Sequence, residues 1–174
     1  MLGGGSGPIE GRGSRRTRDS GLIFCCVARN SKAKELGSLP AFAGLSTRQL
    51  EAMASNLDEV SVAKGERAMT EGRTNDTFWV LLDGEADLTL GGKVHETAKA
   101  GDLLGVPSMF SGKEAMGDVI ARTDLRALVA SHSQFNAMLA DPEVAIRFKA
   151  AVFDRLRDEL YQLTHTSARR SKKK

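Results

Sequence analysis

The sequence predicts an α+β fold, a barrel or jelly roll of short strands flanked by helices. Three observations carry this. Between Val60 and Ala130 apolar residues recur mostly with a period of two. Glycine turns punctuate that stretch at short intervals: Lys64-Gly65, Glu71-Gly72, Asp83-Gly84, Gly91-Gly92 and Gly101-Asp102. On either side the period changes to that of helices, each opened by a capping signature.

The 174 residues suit one domain, and 41% are hydrophobic, enough for a core. Only 5% are aromatic, so aliphatic residues must fill most of that core. No run approaches the ~20 apolar residues of a membrane helix, so no transmembrane segment is expected. Charge is uneven. Through Lys34 the chain carries seven Lys/Arg against two Asp/Glu, and from His165 onward five against none. With a total of +3, residues 35–164 carry −7. The basic pI belongs to the ends and the body is acidic.

In chain order, residues 1–14 read as an expression tag and linker, with Ile9-Glu10-Gly11-Arg12 resembling a protease cleavage site. Residues 15–31 read as a flexible basic segment. It includes Cys25 and Cys26, the only cysteines. As neighbours they do not form an ordinary structural bridge, which fits a reducing compartment and a cytoplasmic location. The folded module is expected over residues 32–164. Ser31 to Leu36 is a short helical turn, and Leu39-Pro40-Ala41-Phe42 an apolar connector that is extended just before Pro40. Ser46-Thr47-Arg48-Gln49 is a capping box, with Leu45 and Leu50 spaced as a staple. It opens a helix from Thr47 to about Asn56.

Strands follow around Val60–Val62 and Ala68-Met69. Thr77–Leu82 is strongly apolar, and Asp83-Gly84 signals a hairpin. Return strands run over Ala86–Leu90 and Val94–Ala98. Then comes Ala100–Ala121, which reads as strand, tight turn with one helical turn, and strand. Gly105 permits close backbone approach. Pro107 suits the first helical position, leaving the amides of Ser108 and Met109 to face an anion. Leu125–Ala130 is the last strand. Ser131–Gln134 is a second capping box for a short helix. Asp141-Pro142 then starts a long helix to about Thr164, with Ile146, Val152 or Phe153, Leu156, Leu160 and Leu163 as its apolar stripe. Residues 165–174 form a disordered basic tail.

This order of elements resembles the cyclic nucleotide-binding domain family, of catabolite-activator and protein-kinase-A regulatory type. The matching residues are Leu39–Phe42, Glu71-Gly72, Trp79–Ala86, Ala100–Gly105 and the two terminal helices, and the likeness covers residues 32–163. The resemblance implies an eight-stranded antiparallel β-roll (jelly roll) flanked by N-terminal helices and a C-terminal short helix plus long helix. It also implies that the cassette binds a cyclic phosphate, through a helix N-terminus and an arginine, and a ribose hydroxyl, through a glutamate.

The cassette departs from the family pattern. The glutamate's position holds Val106 and the arginine's falls near Ala115. Hydrogen bonds to charged groups contribute ~1.5–3 kcal/mol each. Losing two weakens binding by ~10²–10⁴ at 1.4 kcal/mol per decade. Lys113, Arg122 and Arg73 are the substitute cations. The candidate pocket comprises Leu104, Gly105, Val106, Pro107, Ser108, Met109, Lys113, Ala115 and Met116.

The leading expectation is a non-enzymatic regulatory or sensory module with an altered pocket, in which cyclic nucleotide binding is weak, atypical or absent. It would signal through its C-terminal helix. A ligand-free protein-interaction or scaffold domain is one alternative, and a genuine cAMP-binding domain using substitute basic residues is another. Expected partners are a cyclic nucleotide or other small anionic ligand, and a protein partner or second copy meeting the helix 142–164. No metal is expected, and no cofactor apart from a cyclic nucleotide. The chain ends about ten residues past the long helix, so no helix-turn-helix reader and no sequence-specific DNA recognition are expected. Enzyme activity is not expected. Asp83, Glu85 and Asp87 read as an acidic strand face, and Ser131-His132-Ser133 as a cap.

Overall fold

The computed structural model describes residues 30–74, 76–154 and 157. Residues 1–14, Cys25, Cys26, nearly all of the basic N-terminal segment, Leu156, Leu160, Leu163 and the basic C-terminal residues lie outside the described residues.

Helix α1 (30–38) leads into a 3₁₀ turn, Pro40–Phe42, then α2, Thr47–Ala54. Leu39 is extended, as a residue before proline must be. Seven strands and a one-and-a-half-turn helix follow: β1 (Asp58–Val62), β2 (Arg67–Met69), β3 (Thr77–Asp83), β4 (Ala86–Leu90), β5 (Lys93–Ala98), β6 (Leu103–Leu104), α3 (Val106–Ser111) and β7 (Asp118–Ala121). The last strand is β8 (Leu125–Ser131), followed by α4 (His132–Met138) and by α5, helical over 142–154.

The strands form two antiparallel four-stranded sheets, ordered β1-β8-β3-β6 and β2-β7-β4-β5. This is the eight-stranded roll that the strand spacing and the resemblance imply. Successive strands repeatedly cross between sheets, which corrects one expectation. Asp83-Gly84 does not close a hairpin, because β3 and β4 lie in different sheets. Gly84 has φ +88°, and a Cβ on it would clash with the Asp124 carbonyl and the Thr123 hydroxyl. The Asp-Gly pair carries the chain between sheets, under the turn before β8. The two-residue hairpin is at Gly91-Gly92, where Leu90 pairs with Lys93.

Strands β3 and β8 are apolar on both faces because both faces are covered. Phe78, Val80, Leu128 and Ala130 pack toward the helices. Trp79, Leu81, Leu125 and Ala127 pack between the sheets. Five phenylalanines join the helix-side core. Phe148 of α5 lies 5.7 Å from Phe42, 5.0 Å from Phe78 and 5.1 Å from Phe135. Phe135 of α4 also meets Phe78 and, on α3, Phe110, each at 5.4 Å.

Both capping boxes form: Ser46 N–H donates to Gln49 Oε1 at 2.9 Å, and Ser131 N–H to Gln134 Oε1 at 2.7 Å. Asp141 caps α5, accepting from the amides of Glu143 at 2.9 Å and Val144 at 3.2 Å. Gln49 of α2 donates to the same carboxylate at 3.2 Å, tying the two helices. The apolar face of α5 differs from the expected stripe. Val144 and Phe148 are buried, with Val152 packed beside them. Ile146 and Phe153 point outward, 64% and 70% exposed. The residues facing the domain recur every four positions, so Ile146 and Phe153, spaced by seven, fall on another side of the helix.

A candidate ligand cavity between the cassette and the second sheet

The cassette hangs from β6, whose Leu104 pairs with Trp79 of β3. The preceding turn is closed by Gly101 N–H to Leu81 O at 2.8 Å and Leu81 N–H to Asp102 O at 3.0 Å. Asp102 adds a side-chain bond, accepting from Lys99 N–H at 2.7 Å. Gly105 then takes φ +79° as the N-cap of α3, a left-handed conformation that disfavours other residues. Gly112, at φ +64°, ends the helix by donating to Ser108 O at 2.8 Å.

The return is fastened at two places. Ala115 donates to Arg73 O at 2.8 Å and accepts from Gly72 N–H at 2.9 Å. Gly117 lies so close to the Thr89 carbonyl of β4 that a Cβ could not fit. These ties leave a cavity of about 280 Å³ between the cassette and β2, β4, β5 and β7.

Six expected residues line it: Leu104, Gly105, Pro107, Ser108, Ala115 and Met116. Lys113 borders an adjoining depression with Thr74, Ser111, Gly112 and Glu114. Val106 and Met109 line neither cavity. Each is 3% exposed, turned three residues apart into the helix-side core. Pro107 is the second helical residue, because Gly105 caps the helix and Val106 begins it. The Met109 amide does not face an anion, since it donates to Gly105 O at 3.0 Å as the first intrahelical bond.

The substitute cations are also placed. Arg122 lies 3.9 Å from both Glu85 and Asp87 and lines neither cavity. Arg73 is exposed and lines neither.

Residues that sequence reasoning missed come from the opposite wall: Met69, Leu88, Thr89, Leu90, His95, Asp118 and Val119 among them. Strand alternation places Leu88 and Val119 on inward faces, so these were findable. Nothing local marks Asp118. Its Oδ1 accepts from Glu71 N–H at 2.9 Å and lies 3.4 Å from Arg67, while Oδ2 accepts from the Thr89 hydroxyl at 3.4 Å. The Ser108 hydroxyl donates to Glu114 O at 3.4 Å. Among the described residues no buried side-chain polar atom lacks a partner, and no cluster of His, Cys, Asp or Glu gathers as metal ligands.

Shifted acidities lie away from the cavity. The Arg126 guanidinium is held above its ordinary value by hydrogen bonds to Glu35, 2.8 Å, and Glu59, 3.0 Å. Asp141 is held below its ordinary value by the Val144 amide first and Gln49 second.

The profile described as "Cyclic nucleotide-binding domain" matches residues 59–141. A cAMP-dependent protein kinase regulatory subunit of Aspergillus niger is 25% identical over 114 residues, 64% of this chain and 28% of that one. The chain thus spans under a third of that relative's length. Among solved structures, the catabolite activator protein of Thermus thermophilus is 22% identical, TM-score 0.66, covering 74% of this chain and 63% of that one. The regulatory subunit of a cAMP-independent protein kinase A from Trypanosoma brucei is 16% identical, TM-score 0.69, covering 82% and 50%. No helix among the described residues is long and apolar enough to cross a membrane.

Proposed function

Because residues 59–141 belong to the cyclic nucleotide-binding domain family, we propose that the chain is a non-enzymatic regulatory module. It senses occupancy of the cassette cavity and signals through α5. Cyclic nucleotide binds it weakly or not at all. The observation that carries the last clause is the pair of positions 106 and 115. At the first, an apolar side chain is turned into the core. At the second, a methyl group stands on the cavity wall. A ribose hydroxyl finds no carboxylate at the first, and a cyclic phosphate finds no guanidinium at the second. The neighbour from Trypanosoma brucei, described as part of a cAMP-independent kinase, supports the view that this fold does not entail cAMP dependence.

The route from cavity to output is a file of rings. Phe110 sits on the cassette helix and meets Phe135, which meets Phe148 of α5. Packed aromatic contacts have discrete arrangements, so a shift of α3 on ligand entry is passed on as a repacking of α5. A cytoplasmic location is part of the same reading.

Calorimetric titration with cyclic AMP and cyclic GMP tests it, alongside thermal unfolding. A binder at 100 times its Kd gains ~2.7 kcal/mol. The expected result is no stabilisation at micromolar nucleotide. Micromolar affinity for either nucleotide overturns the weak-binding clause, and its loss in Lys113→Ala assigns the charge to that lysine.

A second reading, a ligand-free scaffold domain, is favoured by one observation: the outward pair Ile146 and Phe153 on α5. It predicts that a protein partner or second copy is lost in Ile146→Glu/Phe153→Glu while cavity substitutions have no effect.

A further inference from the structure

We propose that the cavity accepts an uncharged, mainly apolar small molecule bearing a hydrogen-bond donor, with Asp118 as the polar anchor. This rests on the cavity being the module's input, and specifies the chemical class it takes.

The walls come first. Met69, Leu88, Leu104 and Val119 present hydrocarbon from three strands and the cassette stem. A desolvated hydrocarbon wall favours an apolar body and returns nothing for the water a phosphate must shed. The two lining hydroxyls, Thr89 and Ser108, already donate to Asp118 and to the Glu114 carbonyl.

The rim is the second observation. Leu90 and Met116 also line the cavity, yet they are 56% and 65% exposed. Large apolar side chains left open beside a hydrophobic cavity extend the apolar surface that an incoming molecule covers. The volume, about 280 Å³, falls just below the ~300–1,000 Å³ of drug-sized sites, which suits a small ligand.

Charge is the third. Of the lining residues, Asp118 alone carries a fixed charge. A carboxylate on the wall repels an anion. Arg67, at 3.4 Å, offsets part of that charge but does not itself line the cavity. Asp118 Oδ2 is held by one long bond, the 3.4 Å contact from Thr89. A carboxylate has about four acceptor sites, so an N–H or O–H of the ligand finds an acceptor there. Donor recognition by a carboxylate, inside hydrocarbon walls, reverses the demand of a cyclic phosphate.

The test uses a matched pair of fluorescent probes with the full chain. N-phenyl-1-naphthylamine is neutral, flat and carries one N–H. 1-Anilinonaphthalene-8-sulfonate has the same body with a fixed negative charge. Fluorescence titration is expected to give at least tenfold tighter binding of the neutral probe. Met116→Glu, on the exposed rim, is expected to weaken that probe tenfold or more without changing the unfolding midpoint. Asp118→Asn, checked for folding by circular dichroism, is expected to narrow the preference between the probes. Equal affinity for the two, no binding of the neutral probe, or binding indifferent to Met116→Glu each overturns the proposal. Displacement of the neutral probe by micromolar cyclic AMP is a separate outcome. It strikes the weak-nucleotide reading and leaves the neutral-probe preference to be judged on its own titration.

Discussion

Replacing Phe135 by leucine removes the centre of the aromatic file while keeping the site apolar. The ring is fully buried and meets three others: Phe78 and Phe110 at 5.4 Å and Phe148 at 5.1 Å. Such pairs contribute ~0.5–1.5 kcal/mol each beyond area burial, so losing three costs about 1.5–4.5 kcal/mol. The Phe→Ala range of ~3–5 kcal/mol sets the ceiling, which puts Phe135→Leu at ~2–4 kcal/mol. Phe110→Leu loses one ring contact at a position 39% exposed, and is expected to cost ~0.5–1.5 kcal/mol. If the cassette is mechanically joined to α4, the double variant costs less than the two singles together by the worth of that pair. Urea unfolding of the four proteins, with slope unchanged, gives the midpoints. Additivity to within ~0.3–0.5 kcal/mol, as expected of independent sites, refutes the link on which signalling through α5 depends.

Gly84→Ala is expected to destabilise by more than the ~1–2 kcal/mol of a left-handed backbone, because its Cβ also meets Asp124 and Thr123. Gly91→Ala, where the same atom meets open space, is the control, and thermal unfolding separates them. For Asp141 the sign follows from its lowered folded-state pKa. Its contribution is complete above the unfolded value near ~3.9 and is lost as pH falls through the folded value. Asp141→Asn should therefore flatten the acid limb of melting temperature against pH below about 4, and an unaltered limb counts against the cap. Arg126→Met should cost no more than ~1 kcal/mol, since both ion pairs are partly exposed. That cost should shrink in 1 M salt, and a salt-independent loss would point to packing of the stem instead.

Most of the roll was legible because its signals are local. The two capping boxes, the proline after Leu39, Asp141 before α5 and the alternation in β1 and β4 are each readable within a few residues. Asp83-Gly84 misled because the same dipeptide serves a hairpin and a crossing between sheets, and only the distant turn at 123–125 decides which. The phase of α5 was misread for a related reason. Apolar residues lie on two of its sides, and the side that packs is chosen by contacts with Phe42, Phe78 and Phe135, up to about a hundred residues away. The cassette could be located from Gly101, Gly105 and Pro107, but its opposite wall could not. Asp118 joins the cavity through the pairing of β7 with β4, a long-range register that no short motif encodes.

β8 lies between β1 and β3, pairing Val60 with Ala127 and Val80 with Leu128. One of the sheet's two inner rails is therefore the last one synthesised. A ribosome that has produced everything up to β7 holds the rails on either side of an open seam, their hydrocarbon bare toward solvent. Closure waits for Leu125–Ser131 to emerge. A nonsense change between β7 and that segment would leave an adhesive, unclosed sheet rather than a shortened domain.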